Sequence, residues 1–103
     1  MVTTATPLDA DAVRAALREI DDPEVGINIV DLGLVYGVDT AGGGIAIRLT
    51  MTTPSCPLGS FIADEVRRLL QQRFAAAVAV ELVWDPPWRA EMMSDAARRQ
   101  LGR

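Results

Sequence analysis

The sequence has no histidine and no lysine, and its only cysteine is Cys56. Without histidine there can be no catalytic triad built on an imidazole base and no histidine-rich metal site. A lone cysteine cannot close an internal disulfide, and no basic-then-apolar leader opens the chain. Together these favour a reducing, cytoplasmic setting. No apolar run approaches the roughly 20 residues that cross a bilayer, so no membrane partner is expected. All ten bases are arginine, scattered along the chain, and against fourteen acids they leave a net charge of −4. That is the wrong sign for a phosphate backbone, so nucleic acid is not expected as a partner either. Aromatics are scarce, with two tryptophans, one tyrosine and two phenylalanines. Aliphatic side chains must therefore fill the core.

What is present is enough for one domain: 103 residues, half of them hydrophobic, can bury a single core. Residues 1–6 read as a flexible N-terminus and 7–103 as the domain. Thr6-Pro7-Leu8-Asp9 resembles a helix start, with a hydroxyl cap and early acids. Val13, Ala16, Leu17 and Ile20 follow as an amphipathic stripe, which Asp22-Pro23 is expected to end. Leu32 to Val38 is rich in strand formers, and Asp39 to Gly44 is turn chemistry. Ile45, Ile47, Leu49 and Met51 then alternate with Ala46, Arg48, Thr50 and Thr52, predicting a hairpin. A second helix should begin at Cys56-Pro57 and bury Leu58, Ile62, Val66, Leu69 and Arg73 or Phe74, with Phe61 and Leu70 widening the face. Val78, Val80, Leu82 and Trp84 mark a third strand, ended by Asp85-Pro86-Pro87. Ser94 caps a short final helix over Asp95–Leu101. The expected fold is α/β (α+β), a two-layer sandwich of order α-β-β-α-β-α with a small three-stranded mixed sheet covered by helices.

Three segments could carry chemistry. Cys56 falls at an expected helix N-cap, where free N–H groups and the helix dipole favour a thiolate. The same corner equally suits a small buried residue. Asp22 and Glu24, followed by Asn28 and Asp31, could ligate a metal, and the same residues also suit plain loop chemistry. Trp84-Asp85-Pro86-Pro87-Trp88 makes a stiff apolar strap. Trp84 is in phase with the core, whereas Trp88 is a candidate partner anchor, with Met92 and Met93 extending an adaptable apolar surface.

Asp22-Pro23-Glu24, Ile29 to Tyr36, Thr52 to Leu58 and Trp84 to Trp88 occur in the order and spacing of the SufT/PaaD-like metal–sulfur cluster assembly family. The chain resembles that family from about Val13 to Leu101. The resemblance implies an accessory role in maturing iron–sulfur proteins, with a scaffold and apo-client proteins as partners and a homodimer as the common assembly. It places the family's functional cysteine on Cys56, its acidic loop on Asp22 and Glu24, and its threonine pair on Thr52 and Thr53, with Ser55 beside them shaping the pocket. Members serving phenylacetyl-CoA oxygenase carry a cysteine-rich C-terminal extension, which is not seen here after Arg103. The minimal, SufT-like form is therefore expected.

An iron–sulfur cluster usually takes four thiolates, and one copy of this chain supplies one. The expectation is a transient carrier of iron or of a cluster. The alternative is a pure interaction adaptor with a structural Cys56, and a cysteine-dependent thiol transferase ranks below both.

Overall fold

The computed structural model describes residues 8–52 and 59–102. The order of elements is α1 (Ala10–Leu17), β1 (Val35–Asp39), β2 (Ile45–Leu49), α2 (Gly59–Phe74), β3 (Val78–Leu82) and α3 (Asp95–Gln100). This is the α-β-β-α-β-α order expected. The sheet runs β1-β2-β3, antiparallel between β1 and β2 and parallel between β2 and β3. The mixed sheet follows from connection length: a tight turn suffices for the hairpin, whereas the parallel step needs α2 as its crossover.

Asp9 caps α1 by accepting the Ala12 N–H at 2.8 Å. The expected cap, Thr6, lies outside the described residues. The helix stops earlier than Asp22-Pro23 suggested. After Leu17 the Glu19 and Ile20 N–H groups reach back three residues, to the Ala16 and Leu17 carbonyls, and this tightening closes the last turn. Ile20 still reaches the core, from beyond the helix.

The first strand begins at Val35, later than Leu32. Residues 28–34 instead form a single helical turn, capped at both ends. Asn28 Oδ1 accepts the Asp31 N–H at 2.9 Å, and Asn28 Nδ2 donates to Asp31 Oδ2 at 2.8 Å. At the far end the Leu34 N–H reaches the Ile29 carbonyl and the Gly33 N–H the Val30 carbonyl, both at 3.0 Å. This is the paired closure that requires a left-handed residue, and Gly33 supplies it with φ +83°.

In β2, Ile45, Ile47, Leu49 and Met51 are buried as the alternation requires. Thr50, expected to face outward, is also fully buried, and its hydroxyl has no hydrogen-bond partner among the described residues. On α2 the buried face is Ile62, Ala63, Val66, Leu70 and Phe74. Phe61, expected to widen that face, is 53% exposed. Trp84 is also on the outside: β3 ends at Leu82, its alternation ends there too, and the indole is 42% exposed.

Arg73 near the end of α2 grips Glu19 with both terminal nitrogens, Nη1 to Oε2 at 3.0 Å and Nη2 to Oε1 at 2.9 Å. These hydrogen bonds, helped by the guanidinium charge, hold the Glu19 carboxyl below the usual carboxylate range. A depressed carboxylate contributes stability above its unfolded-state pKa and loses it as pH falls through the folded value. Urea unfolding of wild type and Glu19→Gln should thus differ at neutral pH and converge in acid.

Gly33 has a second constraint. A Cβ there would sit 2.5 Å from the Met92 carbonyl oxygen, whereas one at Gly26 (φ +80°) would meet nothing within 4 Å. Gly26→Ala should cost about 1–2 kcal/mol of backbone strain. Gly33→Ala should cost at least about 3 kcal/mol, because strain and collision add. Equilibrium denaturation of the two variants checks this ordering.

Candidate functional site

Asp22 opens a turn that the local sequence dictates. Its carboxylate Oδ1 accepts the N–H of Glu24 at 2.8 Å and of Val25 at 3.3 Å. Pro23 occupies the position after the cap, where a missing N–H costs nothing. The Asp22 carbonyl oxygen accepts from Val25 at 3.2 Å and from Gly26 at 2.7 Å, and its N–H donates to Ile27 at 3.0 Å. Gly26 takes the left-handed conformation that reverses the chain. The Asp22 residue is 1% exposed, so it sits behind the surface, while Glu24 is exposed.

The C-terminal segment folds back onto the 28–36 region through three long-range hydrogen bonds. Trp88 Nε1 donates to the Leu32 carbonyl at 2.7 Å. The Tyr36 hydroxyl donates to the Pro86 carbonyl at 2.7 Å, with Met92 Sδ at 3.3 Å from the same oxygen. The Ser94 N–H donates to the Asp31 carbonyl at 2.7 Å. Tyr36 can reach the strap because it is the extra residue of a bulge: β1 advances from Val35 to Gly37 while β2 moves only from Leu49 to Arg48.

Between this strap and the Asp22 turn lies a cleft of about 400 Å³. Among the described residues its polar lining is Glu24 and Thr52, and its apolar wall includes Val25, Leu32, Trp88, Met93 and Leu101. Glu24, Thr52, Trp88 and Met93 were all singled out from sequence, and the cleft brings them together. Cys56, Thr53 and Ser55 lie outside the described residues. Asp22 supports the rim from behind. Met93 is 4% exposed, so its expected place on an open partner surface is corrected to the core wall beneath the cleft. Trp88 and Met92 are half-buried. Trp88 anchors the strap by its indole N–H, and Met92 lies beside the Tyr36 hydroxyl. Sequence reasoning missed Leu32 and Leu101 as cleft residues. Leu32 lies in a run of strand-forming residues, and no periodicity links Leu101 to a wall so far from it in the chain.

The sequence profile described as iron–sulfur cluster assembly protein matches residues 10–82. The chain belongs to that family. It is 42% identical over 83 residues to the Fe-S protein maturation auxiliary factor SufT of Staphylococcus aureus, covering 79% of this chain and 94% of the relative. It is also 38% identical over 64 residues to an iron-sulfur cluster carrier protein of Synechocystis, a match covering 62% of this chain and only 18% of that longer protein. A solved domain of unknown function from Bacillus anthracis superposes with a TM-score of 0.83 at 36% identity, covering 89% of this chain and 90% of that one. The family match ends at Leu82, so the strap that walls the cleft lies beyond it, although the Bacillus anthracis fold covers most of the chain.

Among the described residues no helix is long and apolar enough to cross a membrane, and no three His, Cys, Asp or Glu side chains gather to hold a metal ion.

Replacing Trp88 by phenylalanine keeps a ring in the wall and removes the donor to Leu32. Leaving that carbonyl unpaired should cost about 1–3 kcal/mol, measured as a lower denaturation midpoint relative to wild type.

Proposed function

We propose that this chain is an accessory factor in the maturation of iron–sulfur proteins, a transient carrier that takes iron or a cluster and passes it to an apo-protein. The observation that carries the reading is the cleft. It brings Glu24 and Thr52 together against an apolar wall, in a family whose relatives are named for iron–sulfur maturation and cluster carriage. Cys56, four residues beyond Thr52, supplies the thiolate donor, Glu24 an oxygen donor, and Thr53 and Ser55 help shape the pocket. One thiolate per chain is well short of the four that hold a cluster permanently, and an incomplete set favours exchange. In the transfer step a client thiolate replaces Cys56 on the iron, with no change of oxidation state, and Cys56 leaves free to be reprotonated.

The protein acts as a single domain over residues 7–103, in the cytoplasm, as a homodimer with an iron–sulfur scaffold and apo-client proteins as its partners. Such a dimer supplies two Cys56 thiolates to one cargo only if its axis brings them together.

In an anaerobic transfer assay to an apo-client, Cys56→Ala should lower the rate by at least about tenfold, since loss of even a group behind a ligand typically costs about 10–100-fold. An unchanged rate would leave the chain as an interaction adaptor. That second reading draws on the exposed aromatics Trp84 and Phe61, and in that case Trp84→Ala would abolish client pull-down.

A further inference from the structure

Within the carrier reading above, we infer that Asp22 is a positioning residue for Glu24 and does not itself bind the cargo. Its carboxylate is the hub of the turn that carries Glu24. Oδ1 receives two N–H groups, from Glu24 at 2.8 Å and Val25 at 3.3 Å. The backbone of Asp22 makes three further bonds, to Val25, Gly26 and Ile27. All of them are local, and all of them close residues 22–27 onto one conformation. Pro23 restricts the chain just before Glu24, and Gly26 permits the sharp return just after it.

The consequence lies two residues away. Glu24 and Val25 are the members of this turn that line the cleft, whereas Asp22 is 1% exposed and absent from its lining. Asp22 is buried behind the turn with its Oδ1 directed at two N–H groups of that turn, whereas Glu24 lines the cleft beside Thr52. The division of labour is one acid that holds the loop and one that faces the cargo. Supporting groups behind a metal ligand typically change metal affinity by about 10–100-fold when removed.

The chemistry of the side chains supplies the test. Asparagine retains an acceptor oxygen at the Asp22 position and loses the charge, whereas alanine loses both. The full chain is loaded with ferrous iron under anaerobic conditions, and its affinity is titrated for wild type, Glu24→Gln, Asp22→Asn, Asp22→Ala and the double variant Asp22→Ala/Glu24→Gln. Protection of the Glu24 amide against hydrogen exchange is read in parallel.

Asp22→Asn should bind within about threefold of wild type and keep the Glu24 amide protected, because the loop-closing acceptor survives. Asp22→Ala should bind about 10–100-fold more weakly and lose that protection. The double variant should be no weaker than Glu24→Gln alone, since the two residues act as one unit. The inference is overturned on its own if Asp22→Asn binds as weakly as Glu24→Gln with the amide still protected, or if folded Asp22→Ala binds like wild type. Wild-type affinity in Glu24→Gln would overturn both this inference and the role of Glu24 as a donor. Should Asp22→Ala not fold, Asp22→Asn decides alone, since a donor carboxylate and a loop-closing acceptor predict opposite results for it.

Discussion

The connection between α1 and β1 is packed into the protein, and buried backbone must hydrogen-bond within the protein. Much of the structure follows from how this requirement is met. Two consecutive single turns do it, each opened by an Asx side chain and closed by a left-handed glycine: Asp22 to Gly26, and Asn28 to Gly33. Ile27 and Ile29 are thereby turned into the core, and Asp21 pairs with Asn28 across the base. The first turn presents Glu24. The second offers the Asp31 and Leu32 carbonyls to which the C-terminal strap attaches.

The strap depends on those turns in a literal sense. Trp88 and Ser94 donate to carbonyl oxygens of the turn, the Tyr36 hydroxyl beside it donates to Pro86, and the Gly33 backbone passes so near Met92 that no side chain fits between them. Met93 and Ala97 then seal the join as core residues. The cleft lies where the hydrogen-bonded strap faces the hydrogen-bonded Asp22 turn.

Much of the fold was legible from sequence because periodicity reports burial directly. Ile45, Ile47 and Leu49 are a period-2 strand, and Ile62, Val66 and Leu70 a helical face, and all six are buried. The failures occur where apolar residues serve irregular backbone. Leu32 and Leu34 look like strand residues and lie in or beside a capped turn. Trp84 is in phase with a strand that has already ended, and the acceptor of the Trp88 indole, 56 residues away at Leu32, has no local sequence signal. For the acidic loop, Asp-Pro with a glycine three residues later did contain the cap signal. What it could not show is which carboxylate remains at the surface, since burial of Asp22 depends on the elements packed around the turn.

In the proposed carrier role this chain takes iron on a thiolate and a carboxylate and holds it loosely enough to give it away. X-ray absorption of the full chain loaded anaerobically with ferrous iron tests it most directly. A carrier of this kind shows a mixed coordination shell, with a sulfur contribution that disappears in Cys56→Ala and an oxygen contribution that weakens in Glu24→Gln. An all-oxygen shell unchanged by either substitution would contradict it.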